Sequence, residues 1–189
     1  LMAPRHHMAM RHVATSRSEL GTRTIFNILG PLANPALVKK QLVGVFSETW
    51  VEPMAHVLKG LGSERAWVVH GSDGLDEITT TGVTKVAALD KGSVSTFTIH
   101  PEDANLELVS PKQLKGGLPR QNAIALENLL RGEKGPYRDI VLFNSAAAFI
   151  IAGKVNNLKE GVELAAEMID TGQAKQKLDQ LVSITAHTG

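Results

Sequence analysis

Two adjacent carboxylates, Asp76-Glu77, are the residues of this sequence best suited to chemistry. Water solvates such an acidic pair cheaply on an exposed loop. The same pair also offers hard oxygen ligands to Mg²⁺, which keeps several waters and joins carboxylates to substrate phosphates. The pair follows an apolar run and a turn, the kind of strand end at which open α/β sheets place ligands. Asp73, three residues earlier, reads as a turn former.

Other polar residues carry two readings each. Arg17, in TSRSELG, is either a solvated surface residue or the planar, permanently charged fork that a carboxylate ligand requires. Arg23, in GTRTIFN, could do the same or make a structural pair. His6 and His7 point apart if helical, so they do not form a joint metal site. His70 and His100 close strands and read as structural. Lys115-Gly116-Gly117 could cradle an anion through backbone N–H groups, but lacks the longer P-loop pattern and reads as a turn.

The elements that must position these residues follow from periodicity and breakers. Residues 8–31 read as short helices separated by Gly21 and stopped by Gly30-Pro31, with a loop at Asn34-Pro35. Gln41 to Phe46 reads as a buried strand. Trp50, Val51, Met54, Ala55, Val57, Leu58 and Leu61 recur at helical spacing, with a capping box expected at Thr49-x-x-Glu52 and Pro53 in the opening turn. Ala66 to His70 is the next strand, parallel to the first through that helical crossover. Glu77 to His100 reads as an antiparallel meander turning at Gly82 and at Asp90-Lys91-Gly92. Helices follow at about Gln121 to Arg131 and Arg138 to Ala152. A third is capped by Asn157-x-x-Glu160 and striped by Leu158, Val162, Ala165 and Ile169. A fourth carries Ala174, Leu178, Leu181 and Val182. The fold class is α/β.

Bulk properties narrow the function. Twenty Lys and Arg against nineteen Asp and Glu leave a formal charge of +1, without the basic excess of a protein that grips duplex nucleic acid through its phosphates. With no cysteine, disulfides and thiolate metal sites are excluded, which fits a reducing compartment. The longest apolar run, Ile140 to Ala152, is interrupted by Asn144 and Ser145 and is shorter than the roughly 20 residues that span a bilayer. No signal peptide opens the chain, and its Leu1-Met2-Ala3-Pro4 beginning is unlike a natural start. A cytoplasmic location is expected, with neither membrane nor nucleic acid as partner.

Three segments together carry a family resemblance: APRHHMAMRHVATSRSELGTRTIFNILGPLANP at 3–35, HGSDGLDEIT at 70–79, and GEKGPYRDIVLFNSAAAFIIAGK at 132–154. In this order and spacing the chain resembles the anthranilate phosphoribosyltransferases over essentially its whole length. The resemblance implies a mixed, largely parallel sheet flanked by helices, of the nucleoside phosphorylase/phosphoribosyltransferase type. It implies an acceptor-site segment and helical-domain remnant at 1–35 and an α/β phosphoribosyltransferase domain at 36–189. Residues 14–33 would belong to a mostly missing helical domain, so Ile25, Phe26, Ile28 and Leu29 should lack their usual cover.

The implied reaction is transfer of a phosphoribosyl group from phosphoribosyl diphosphate to the amine of anthranilate, in tryptophan synthesis. By the same resemblance Asp76 and Glu77 hold one of two Mg²⁺ ions, Arg17 contacts the anthranilate carboxylate, His7 lines the acceptor channel, and Gly30 and Pro31 border the acceptor path. An aromatic amine is already nucleophilic, so no general base is assigned. The family's GTGGD-type diphosphate loop and KHGN-type segment do not occur in residues 1–189, so this chain alone is expected to be inactive. The resemblance further implies a homodimer. Two alternatives are a pyrimidine nucleoside phosphorylase, against which the run HHMAMRHVATSRSELG stands, and a non-catalytic nucleic-acid-binding relative.

Overall fold

Short apolar segments with alternating burial build a four-stranded sheet, in a computed structural model that describes residues 15, 19–22 and 24–186. The strands are β1 (Lys40–Gly44), β2 (Arg65–Gly71), β3 (Thr84–Asp90) and β4 (Ser93–Ile99), in that spatial order. β1 and β2 are parallel, as the crossover helix between them requires. β2–β3 and β3–β4 are antiparallel, so the sheet is mixed, with one parallel pairing among its three. The β3–β4 hairpin turns on Lys91 and Gly92, both at positive φ (48° and 77°), the geometry of a two-residue hairpin loop.

The helices are α1 (Phe26–Leu32), α2 (Val51–Gly60), α3 (Pro119–Leu130), α4 (Pro136–Ala152), α5 (Leu158–Asp170) and α6 (Gln173–Ala186). Val51, Met54, Ala55 and Leu58 of α2 pack on one face of the sheet against Val43, Ala66, Val68, Ala87 and Leu89. Val69 and Val86 point to the other face, where Phe143 and Ala147 of α4 bury with Ile78. The period-two alternation of β2 and β3 therefore supplies two cores, one on each side. A third cluster joins Leu129, Leu142, Ala165 and Ile169 of α3, α4 and α5.

Two close contacts fix α4. At Gly161 of α5, an added Cβ would lie 2.6 Å from the Cβ of Ala146, so only glycine permits this helix approach. Arg138, 5% exposed, donates from Nη2 to Asp170 Oδ1 at 2.8 Å. Asn157 caps α5 as expected, its Oδ1 accepting the Glu160 N–H at 2.9 Å.

Three local expectations fail. Thr49 makes no capping box; a 3₁₀ turn at Glu48–Trp50 precedes α2 and the Thr49 hydroxyl bonds Ser47 instead. Gly30-Pro31 does not stop α1, which carries Pro31 inside it and ends at Leu32. Glu77 to Val83 is loop rather than strand. The expected fourth helix is present as α6; it has no buried residue, and its Leu181 and Val182 are more than half exposed. Of the apolar residues expected to lack cover, Ile25 and Leu29 are exposed, Ile28 packs against the α2-side core, and the Phe26 side chain lies outside the described residues. No helix among the described residues is long and apolar enough to cross a membrane.

Candidate active site

The loop leaving β2 is held at both ends and free in the middle. Gly74, at φ +90°, lets the chain reverse, and the Gly71 N–H donates to Leu75 O at 2.9 Å. Asp73 then gathers the loop: its carboxylate accepts from Thr81 Oγ1 at 2.6 Å, Thr79 Oγ1 at 2.7 Å and the Leu75 N–H at 3.1 Å. Partial burial alone would raise the Asp73 pKa, but these hydrogen bonds to the charged form outweigh it and hold the carboxyl below its usual value. Asp73 is the turn former its position suggested. Beyond it, the Ile78 side chain is fully buried and the Thr79 N–H donates to Thr84 Oγ1 at 3.0 Å.

Between these anchors stand Asp76 and Glu77, both exposed, with no hydrogen bond or ion pair to any described residue. Partial desolvation, then repulsion from Asp76, pushes the Glu77 carboxyl above its ordinary pKa. An acidic pair at a cleft, with no compensating cation among the described residues, is a receptive arrangement for one. No group of three or more His, Cys, Asp or Glu side chains among the described residues forms a closed metal cage. Two open carboxylates instead suit a hard cation that takes its other ligands from water and phosphate.

The pair borders a cleft of about 510 Å³ between the sheet (Leu42, Val69) and one face of α4 (Tyr137, Ile140, Asn144, Ser145). Asp76 also lines a hollow of about 190 Å³ formed with Asn27, Ile28 and Pro31 of α1 and with Met54. Thus Asp76 and Pro31, 45 residues apart in the sequence, share one hollow. Gly30 does not line it, and a Cβ there would meet nothing within 4 Å. His7 and Arg17, and also Arg23, lie outside the described residues. His70 is structural as expected, its Nδ1 lying 2.8 Å from Val45 O. Likewise the His100 N–H is capped by Asp103 Oδ2 at 2.8 Å.

Two positioning residues were not evident from sequence. A Cβ on Gly44, at the end of β1, would overlap the Asp76 carbonyl oxygen, so the absence of a side chain lets the carboxylate loop cross the strand end. Asn144, on α4, hydrogen-bonds the backbone of Ile78 in both directions. No local signal marks either one, because both contacts join segments distant in sequence. Asn144 was visible only as a polar break in an apolar helix.

An α/β architecture with a ligand cleft at the strand ends defines a class, and comparison with known proteins fixes it. The glycosyl transferase family, a/b domain, matches residues 1–175, and the chain belongs to that family. Within it, the chain is 57% identical to the anthranilate phosphoribosyltransferase of Paramagnetospirillum magneticum over 188 residues, 100% of this chain and 54% of that protein. It is 59% identical to that of Parvibaculum lavamentivorans over 98% of this chain and 54% of the relative. The crystal structure of anthranilate phosphoribosyltransferase from Thermus thermophilus superposes with a TM-score of 0.88 at 44% identity, covering 96% of this chain and 54% of that one. The enzyme from Saccharomyces cerevisiae in complex with PRPP and Mg superposes at 0.89 and 33% identity, covering 97% and 53%. The chain spans about half the length of the curated relatives it matches.

Proposed function

We propose that the protein carrying this chain transfers a phosphoribosyl group from phosphoribosyl diphosphate to the amine of anthranilate, and that this chain supplies the acceptor and metal side of the site. The observation that carries the reading is the Asp76–Glu77 pair, without a partner among the described residues, held over the α4 cleft and opening through Asp76 onto the hollow beside Pro31. Support comes from the relatives named above, one of them solved with PRPP and Mg.

Asp76 and Glu77 would hold Mg²⁺ between them. When bound, that ion neutralises charge building on a departing diphosphate. The chain's own task is then binding and orientation. Leu42, Val69 and Ile140 give the cleft apolar walls against which a substrate can pack. Arg17 grips the acceptor carboxylate in a bidentate bond, which sets the amine towards the sugar carbon. His7 packs beside the aromatic ring, and Gly30 and Pro31 border its path. The amine is nucleophilic without help, so the arrangement needs no protein base. The work belongs to tryptophan synthesis in the cytoplasm, in a homodimer of a longer protein whose front part carries the diphosphate loop that residues 1–189 lack.

The acceptor assignment has a direct kinetic test in the full-length protein. Arg17→Ala should raise the Michaelis constant for anthranilate roughly ten- to a hundredfold, the worth of a charge-assisted bond of about 1.5–3 kcal/mol. That for phosphoribosyl diphosphate should stay within about twofold, because the two substrates occupy different parts of the cleft. If Arg23→Ala alone raises the anthranilate value, the fork belongs to the other arginine. If only the diphosphate substrate suffers, neither residue serves the acceptor.

A further inference from the structure

Asn144 lies in the middle of α4, in a stretch where the neighbouring Phe143, Ala146 and Ala147 are fully buried. Asparagine there costs helix propensity and brings a polar amide to an apolar surface. Its three hydrogen bonds account for it. Oδ1 accepts the Ile78 N–H at 3.0 Å, while Nδ2 donates to Ile78 O at 2.8 Å and to Ile140 O at 2.9 Å. The pattern fixes the orientation of the amide, since reversing it would set NH₂ against N–H and oxygen against two carbonyls.

The bonded N–H belongs to the peptide joining Glu77 to Ile78. That peptide is planar, so holding its N–H also holds the Glu77 carbonyl and the backbone axis from which the Glu77 side chain departs. The Ile78 side chain is locked into the same core as Phe143 and Ala147. Gly161 in turn brings α5 against Ala146 and fixes α4. A continuous rigid path therefore runs from the helix pair to the carboxylates.

We propose that Asn144 is a positioning residue for the metal, orienting Asp76 and Glu77 through the Ile78 peptide rather than touching ligand itself. This inference rests on the metal role proposed for that pair. Groups that orient a ligand from behind typically change metal affinity by about 10–100-fold when lost.

The test uses the full-length protein with Asn144→Ala and the milder Asn144→Ser, each checked for folding by circular dichroism and studied well below its melting temperature. Mn²⁺ alone is titrated by electron paramagnetic resonance, and exchange of the Ile78 amide hydrogen is followed in the same samples. Mn²⁺ affinity should fall about tenfold or more and Ile78 exchange should accelerate. A purely structural asparagine would lower the melting temperature and leave Mn²⁺ affinity of the folded variant unchanged, and that result overturns the proposal. So does rapid, loop-like exchange of the Ile78 amide in the unaltered protein, a measurement independent of any variant. Asp76→Asn with Glu77→Gln separates the two readings. If that double variant keeps full Mn²⁺ affinity, the metal role itself fails. If it loses affinity while both Asn144 variants keep it, only the positioning role fails.

Discussion

Replacing both carboxylates, Asp76→Asn with Glu77→Gln, should lower turnover of the full-length protein by about a thousandfold while leaving it at least as stable as before. The first effect follows because metal stabilisation of a departing diphosphate contributes several kcal/mol, and each 1.36 kcal/mol is tenfold in rate. The second follows from linkage. The Glu77 carboxyl is raised by partial burial and by Asp76, so the folded state binds its proton more tightly than the unfolded chain does. Stability then declines as pH rises from the unfolded pKa through the raised folded one, and the deficit persists at neutral pH. Removing the charge removes the deficit. Loss of turnover with an unchanged or higher melting temperature at neutral pH marks a pair kept for function. A double variant that melts lower and retains magnesium-dependent turnover would mark a pair kept for structure.

Gly44→Ala should be nearly as damaging without touching any ionisable group. The new Cβ would occupy the position of the Asp76 carbonyl oxygen, a backbone atom that cannot swing aside like the end of a long side chain. Either the loop lifts from the strand end or β1 shifts. The side of the sheet facing α2 is tightly buried, so the loop is the part that gives. Overpacking of this kind costs about 1–3 kcal/mol of stability. A displacement near 1 Å in a catalytic group can cost on the order of a hundredfold in rate. Turnover should therefore fall on the order of a hundredfold with secondary structure intact, read by steady-state kinetics beside circular dichroism. Gly60→Ala is a suitable control, since a Cβ there meets nothing within 4 Å.

The fold was legible in the sequence wherever the signal is local. The β1–α2–β2 unit follows from apolar runs and helical spacing, the Lys91-Gly92 turn from its residue types, and the Asn157–Glu160 cap from its three-residue interval. Local signals misled where a tertiary partner took the group in question. Thr79 and Thr81 look like strand residues, yet Asp73 binds both hydroxyls and keeps the segment a loop. Thr49 has the spacing of a capping box, yet its hydroxyl meets Ser47 in a 3₁₀ turn. The periodicity of α6 correctly marked a helix, although no residue of it is fully buried. In the site, the acidic pair announced itself by residue type, while Gly44 and Asn144 did not. Their roles lie in contacts with Asp76 and Ile78 that no window along the chain contains.

Anthranilate fluorescence, followed in the full-length protein with phosphoribosyl diphosphate and Mg²⁺, tests the central reading most directly. Fluorescence should decay only when both the diphosphate substrate and the metal are present, with one diphosphate released for each anthranilate consumed, and the 189-residue chain alone should show no decay. Stable anthranilate fluorescence under those conditions, together with phosphate-dependent cleavage of a pyrimidine nucleoside by the same preparation, would contradict it.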